Sequence, residues 1–317
     1  MNSYKAIGGY FELDLPQGDF LHGNAVLLNS GRSCFEYVLR ANRPAKVYLP
    51  KFTCDAMLMP LQRLEIPFEF YRINPILEIA DKVQLHADEM LVCNNYFGLK
   101  DEYCRRMSDE YGDRLIIDSS QAYYFEPPEA SHSFYSPRKF FGVPDGGCLV
   151  TTKLLEEDIP VSTSHQRAAY LLRRIDEGAE AAYADFVHSE KSLDLTVMAK
   201  MSVLTKRLLG AIDFASAKAL RLANYDNLAE FIGATNSFPV SLEKSACPMV
   251  YPYISTDPGL RGRLIERKIF VATYWPNVLK WSKSTEPEYL LATDLLPLPV
   301  DQRYDLADMK RIVEIIR

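Results

Sequence analysis

The chain has 317 residues, 48% of them hydrophobic and 25% charged. That is the balance of a folded globular protein and excludes wholesale disorder. With 36 basic and 42 acidic residues the net charge is −6, and no Lys/Arg-rich run supplies the footprint of a nucleic-acid binder. An anionic small molecule stays compatible with that charge, because backbone amides at a helix start bind phosphate whatever the total.

At the N-terminus Met1–Ala6 leads into Gly8-Gly9 and an acidic Glu12-Leu13-Asp14, without an apolar core of signal-peptide length. No stretch approaches 18 uninterrupted apolar residues, so no membrane span is expected and the reading is a cytoplasmic protein. Cys34, Cys54, Cys93, Cys104, Cys148 and Cys247 are irregularly spaced and form no CxxC pair. Buried reduced thiols are expected rather than a zinc or redox motif, and no metal site is assigned.

Val47-Tyr48-Leu49 reads as a strand stopped by Pro50, and Met90–Cys93 as a second, running to Gly98. Residues 100–111 have a polar helical pattern, Leu115-Ile116-Ile117-Asp118 is an apolar strand ending in a carboxylate, and Gly147–Thr151 is a strand behind a Gly-Gly turn. Strands alternating with helical patterns predict βαβ units and a mostly parallel sheet with helices on both faces. After about residue 160 long helical stretches take over, among them Arg167–Arg173 and Ala217–Phe231. Strands are expected at Met249–Ile254 and Ile269–Val271, with a helix over about 258–268 between them. The last helix starts at Asp305, a suitable N-cap, and places Met309, Ile312, Ile315 and Ile316 on one side. This divides the chain into a large α/β domain, 1–210, and a smaller C-terminal α+β domain, 211–317.

Three segments can carry chemistry. In Asn29-Ser30-Gly31-Arg32-Ser33, ahead of the apolar face Phe35, Val38 and Leu39, Ser30 is placed to cap a helix and Gly31 to let an anion reach the first-turn amides. The plain alternative is a capped helix and nothing more. Asp118 ends its strand where open parallel sheets hold their ligands, with Ser119-Ser120-Gln121 following; the alternative there is an Asp that caps the next turn. Lys139 stands among aromatics in Ser133-Phe134-Tyr135-Ser136-Pro137-Arg138-Lys139-Phe140-Phe141, before Gly146-Gly147. An amine desolvated there suits covalent attachment to a carbonyl, against the ordinary solvated lysine.

In this order the three segments resemble the fold-type I pyridoxal-phosphate (PLP) enzymes, and more narrowly the DegT/StrS-type sugar aminotransferases. Ser30-Gly31-Arg32-Ser33 is similar to the family's Ser-Gly-Thr-Ser helix start, Asp118-Ser119-Ser120-Gln121 to its Asp-x-x-His/Gln, and Ser133 through Gly147 to its Ser-Phe…Lys…Gly-Gly segment. Arg221-Leu222-Ala223-Asn224-Tyr225, Tyr274-Trp275-Pro276 and Leu296-Pro297-Leu298-Pro299 extend the resemblance over roughly residues 25–317. It implies a PLP-transferase-like fold and an aminotransferase moving an amino group from glutamate to a keto-sugar nucleotide, in a homodimer that binds neither nucleic acid nor membrane.

It further implies that Lys139 attaches PLP and moves a proton, Asp118 holds the pyridine nitrogen protonated, and Gln121 bonds near the ring oxygen. Ser30, Gly31, Arg32 and Ser136, one helical turn from Lys139, would meet the phosphate. Cys54 stands where the family commonly has a ring-stacking aromatic; Phe52 and Tyr96 are the candidates to replace it. Arg138, Arg167, Arg173 and Arg174 are the cations available to a diphosphate. Two alternatives stay open: a PLP-fold protein that binds without turnover, and a sugar dehydratase, in which the family typically has histidine in place of the lysine.

Overall fold

The structure is a computed structural model describing residues 7–317. Its main sheet contains β1 (Val26–Leu28), β2 (Lys46–Pro50), β3 (Phe68–Tyr71), β4 (Glu89–Asn94), β5 (Leu115–Asp118), β6 (His132–Tyr135) and β7 (Gly147–Val150). The order is β1-β7-β6-β5-β4-β2-β3, and only β7 runs against the others. Helices α1 (Gly31–Asn42), α2 (Leu58–Arg63) and α3 (Asp101–Tyr111) connect these strands. Helices α4 (Ala169–Glu177), α5 (Tyr183–Asp194), α6 (Val203–Leu209) and α7 (Phe214–Ile232) follow. The C-terminal part pairs β8 (Val250–Ile254) with β9 (Leu295–Pro299) and carries α8 (Leu260–Glu266), α9 (Val278–Trp281), α10 (Pro287–Asp294) and α11 (Leu306–Ile316). This is the mostly parallel α/β architecture with a smaller α+β unit that the sequence predicts.

The central strands are buried on both faces, which is why they read as unbroken apolar runs. All six residues of β4 are buried, and alternate residues feed two different cores. Val92 and Ile116 pack with Phe35, Leu39 and Phe134 beneath α1. Leu91 and Ile117 join Tyr123, Phe140, Tyr225, Leu298 and Met309 in a core continuous with the C-terminal part. The expected cap at Asp305 is present as a capping box: its carboxylate accepts from the Ala307 and Asp308 N–H groups, and Asp308 accepts from the Asp305 N–H.

One local reading is corrected. Ile269–Val271 is not a strand: the Ile269 N–H bonds the Leu264 carbonyl at 2.8 Å, and Lys268, at φ +60°, turns the chain out of α8, so the segment serves as a helix stop. Conversely, β9 forms across Leu-Leu-Pro-Leu-Pro, with Pro297 facing Pro252 of β8. A two-stranded sheet has only edges, where a missing N–H is tolerated.

Because β7 alone is reversed, its first residues lie on the same edge of the sheet as the C-terminal ends of β1, β2, β4, β5 and β6. The approach there is tight. A Cβ on Gly147 would lie 2.4 Å from the Ser30 carbonyl oxygen and 2.7 Å from the Cys34 sulfur, and the Gly146 N–H bonds the Asn29 carbonyl at 2.8 Å. Gly147→Ala is therefore expected to lower stability by about 1–3 kcal/mol, through forced separation of α1 from β7. Gly262→Ala, inside α8 with nothing near its Cβ position, should raise stability by up to ~1 kcal/mol. Urea unfolding of both variants checks the opposite signs.

Candidate active site

The segments singled out in the sequence meet on that edge. Ser30 is the N-cap of α1: its Oγ accepts the Ser33 N–H at 3.1 Å, and Ser33 Oγ donates to Asn29 Oδ1 at 2.6 Å. The first-turn N–H groups of Gly31 and Arg32 make no hydrogen bond among the described residues, at the positive end of a twelve-residue helix. Gly31 faces the end of β5, since a Cβ there would sit 3.4 Å from Ser120 Oγ and 3.7 Å from the Phe134 ring. The Arg32 side chain turns away and pairs with Asp194 at the end of α5.

Asp118 ends β5 between Asn94 of β4 and Phe134 of β6. Its Oδ1 accepts the Ser120 N–H at 2.9 Å, so it does cap the following turn. That turn carries Gln121 inward: buried, it accepts the Phe97 N–H on Oε1 at 3.0 Å, while its Nε2 is enclosed without a partner. The sequence alone assigns no role of their own to two residues of this edge. Asn94 is buried, bonds Thr53 Oγ1 through Nδ2 at 3.3 Å and has an unpartnered Oδ1. Ser119 shares a 2.9 Å hydroxyl contact with Ser133. The signal available for Asn94 was a polar residue closing an apolar strand, the same one that marks Asp118.

Ser136 and Lys139 belong to a single helical turn after β6, with the Lys139 N–H on the Ser136 carbonyl at 3.2 Å. The aromatics beside the lysine do not enclose it: Phe140 and Phe141 turn into the core against Tyr123 and Phe214, and Lys139 is exposed. No carboxylate pairs with its amine among the described residues. Cys54 lies close by; burial pushes its thiol up from the usual range, and the charge of Lys139 opposes that. Phe52 and Tyr96 are fully buried against each other and Trp275, with ring centroids 5.6 Å and 5.0 Å from Phe52.

No family model and no curated protein matches the chain. Solved structures do. S. venezuelae DesV in complex with a ketimine intermediate is 17% identical, with a TM-score of 0.61 over 92% of this chain and 84% of that one. A DegT DnrJ EryC1 StrS aminotransferase from Brucella abortus is 14% identical, with a TM-score of 0.59 over 92% and 85%. The E. coli GDP-4-keto-6-deoxy-D-mannose-3-dehydratase with bound hydrated PLP is 13% identical, with a TM-score of 0.61 over 92% and 87%. The chain has the fold of these sugar-modifying enzymes.

Of the four arginines considered for a diphosphate, three are already engaged, and Arg174 makes no salt bridge among the described residues. Arg138 pairs with Glu190 of α5, Arg167 lies 3.6 Å from the buried Asp145, and Arg173 bonds Glu177 and Asp185 at 3.0 and 3.2 Å. Asp145 also accepts from Ser202 and Thr205, which ties the loop before Gly146 to the start of α6. Among the described residues no helix is long and apolar enough to cross a membrane, and no group of three His, Cys, Asp or Glu has metal-site geometry.

The two readings of Asp118 are separable. Asp118→Asn keeps an oxygen that can accept the Ser120 N–H, so unfolding free energy should move by less than about 0.5 kcal/mol, whereas Asp118→Ala should lose about 1 kcal/mol with that bond. Chemical denaturation without cofactor measures the structural part alone.

Proposed function

We propose that the chain is a PLP-dependent aminotransferase acting on a keto-sugar nucleotide, with glutamate as amino donor. The observation that carries the reading is the convergence, on one sheet edge of this fold, of an uncommitted lysine, a strand-end carboxylate and a helix start with free amides. Buried, unpartnered polar atoms at Gln121 Nε2 and Asn94 Oδ1 fit a polar ring system, which would satisfy groups that are otherwise costly to bury. PLP supplies an electron sink when bound.

The chain's own residues then divide the work. Lys139 Nζ would hold the cofactor, and its amine could carry a proton at the reacting carbon. Asp118 would hold a proton on the pyridine nitrogen with the carboxylate oxygen not used by Ser120. Gln121 would donate from Nε2 to the ring oxygen, with its orientation fixed because Oε1 already holds the Phe97 N–H. Gly31 and Arg32 offer backbone N–H groups to the phosphate, with Ser30 holding the helix start and Ser136 adding a hydroxyl. The same fold serves a dehydratase, and the lysine at position 139 favours amino transfer.

A second copy of the chain completes the proposal. Helix α4 has no buried residue although Leu172 and Ile175 are apolar, and Leu195, Val197 and Val203 are also exposed. These residues flank α5, whose Glu190 and Asp194 hold Arg138 and Arg32 of the site. A homodimer that covers this face would bury them and enclose Lys139.

Glutamate should bleach the visible band of the PLP-loaded chain, and a UDP- or dTDP-linked 4-keto sugar should restore it. The same sugar without its nucleotide should act far more slowly, since remote binding energy positions the carbonyl. A response to simple keto acids alone would contradict the acceptor. Asp118→Asn should cost about a hundredfold in rate or more, and a near-normal rate would refute the role. Sedimentation of the PLP-loaded chain should show a dimer at micromolar concentration; monomer alone would count against the shared face.

A further inference from the structure

Arg221 lies on α7 in line with Ala217, Tyr225, Leu228 and Ile232, the row that faces the core. It is the largest fully buried side chain of the described residues, and no carboxylate pairs with it directly. Burying a guanidinium without a paired acid costs several kcal/mol unless its donors are used, and an apolar side chain of that volume would serve packing as well or better. The two terminal nitrogens are used on backbone carbonyls of two separate segments, while Nε is buried without a partner. Nη2 donates to Phe140 O at 3.3 Å; Nη1 donates to Pro248 O and Met249 O at 3.3 and 3.2 Å. The guanidinium carbon sits 4.5 Å from the centroid of the Phe140 ring, a cation–π contact with the same residue.

Each segment leads to a different functional side chain. Phe140 follows Lys139 directly, and its carbonyl also accepts from Gln302 Nε2 at 2.9 Å. The turn that carries Gln302 is held by Asn224, one turn along α7, which donates to the carbonyls of Val300, Asp301 and Tyr304. On the other side, the Met249 N–H donates to Phe97 O at 2.8 Å, and the Phe97 N–H donates to Gln121 Oε1 at 3.0 Å. Phe97 is in the left-handed region at φ +59°, uncommon for a bulky residue, so the turn depends on these bonds from both sides. Gly98 closes the contact: a Cβ there would meet Cys247 O at 2.4 Å and Gln121 O at 3.0 Å.

We propose that Arg221 is a positioning residue that fixes the separation of Lys139 from Gln121, clamping the carbonyl of Phe140, the residue after the lysine, on one side and, through Met249 and Phe97, the glutamine's side chain on the other. The inference rests on the assignment of Lys139 and Gln121 to PLP. Arg221 touches neither cofactor nor substrate. Its loss lets the amine and the amide donor move independently, and both set the protonation of the bound cofactor.

The test uses the full chain loaded with PLP, with variants Arg221→Met, Arg221→Lys and Gln302→Leu. Two readouts need no turnover: the pH midpoint of the visible absorbance, and the rate at which borohydride-fixed PLP appears on the Lys139 peptide. In Arg221→Met the midpoint should shift by at least about half a pH unit and the labelling rate should fall about tenfold or more. Arg221→Lys, which keeps the charge and one or two donors, should recover part of both. Gln302→Leu removes only one donor from Phe140 O and should shift the midpoint in the same direction by less, so it carries the test if Arg221→Met does not fold. A folded Arg221→Met, or failing that a folded Gln302→Leu, with wild-type midpoint and labelling rate overturns the inference. Wild-type chain that acquires no PLP at Lys139 overturns the underlying assignment instead, and is read before any variant.

Discussion

The close approach of Gly147 to the Ser30 carbonyl is the contact on which the arrangement of the site depends. It sets the start of α1 against the first residue of the one reversed strand, where only a hydrogen fits between the two backbones. With β7 placed there, the loop from Lys139 to Gly146 must return across the ends of the parallel strands, and Asp145 is fixed beneath it by Ser202 and Thr205. The free amides at Gly31 and the amine at Lys139 therefore share an edge with the Asp118 carboxylate through backbone geometry, before any side chain interacts.

Burial explains why the C-terminal part belongs to the same machine. One apolar core passes from under the parallel strands to α7, β9 and α11, so the segments that touch the lysine loop from the far side are held as firmly as the sheet itself. Gln302 and Arg221 reach the Phe140 carbonyl only because α7 is seated in that core. Helix α4 has the opposite character: Tyr170 packs on Phe186 of α5, but Leu172 and Ile175 are left exposed.

Much of the candidate site was legible in the sequence because its residues sit where local rules are strong. A Ser-Gly pair before an apolar helix face, an acid closing an aliphatic strand and a Gly-Gly ahead of another strand each carry a backbone reason, and Ser30, Asp118 and Gly147 occupy those positions. What escaped was set by distant contacts. Lys139 is exposed because Phe140 and Phe141 prefer the core, which depends on Tyr123 and Phe214 rather than on neighbours in sequence. Ile269–Val271 looks like a strand but is captured by the end of α8. Arg221 left a readable trace, a charge in the apolar row of a helix, yet the carbonyls it serves lie in segments 27 and 81 residues away.

The most direct measurement is a crystal structure of the chain after PLP binding and borohydride reduction. The account predicts continuous density from Lys139 Nζ to the cofactor, the phosphate on the amides of Gly31 and Arg32, Asp118 at the ring nitrogen and Gln121 Nε2 at the ring oxygen. Cofactor joined to another lysine, or a phosphate placed away from the start of α1, would contradict it.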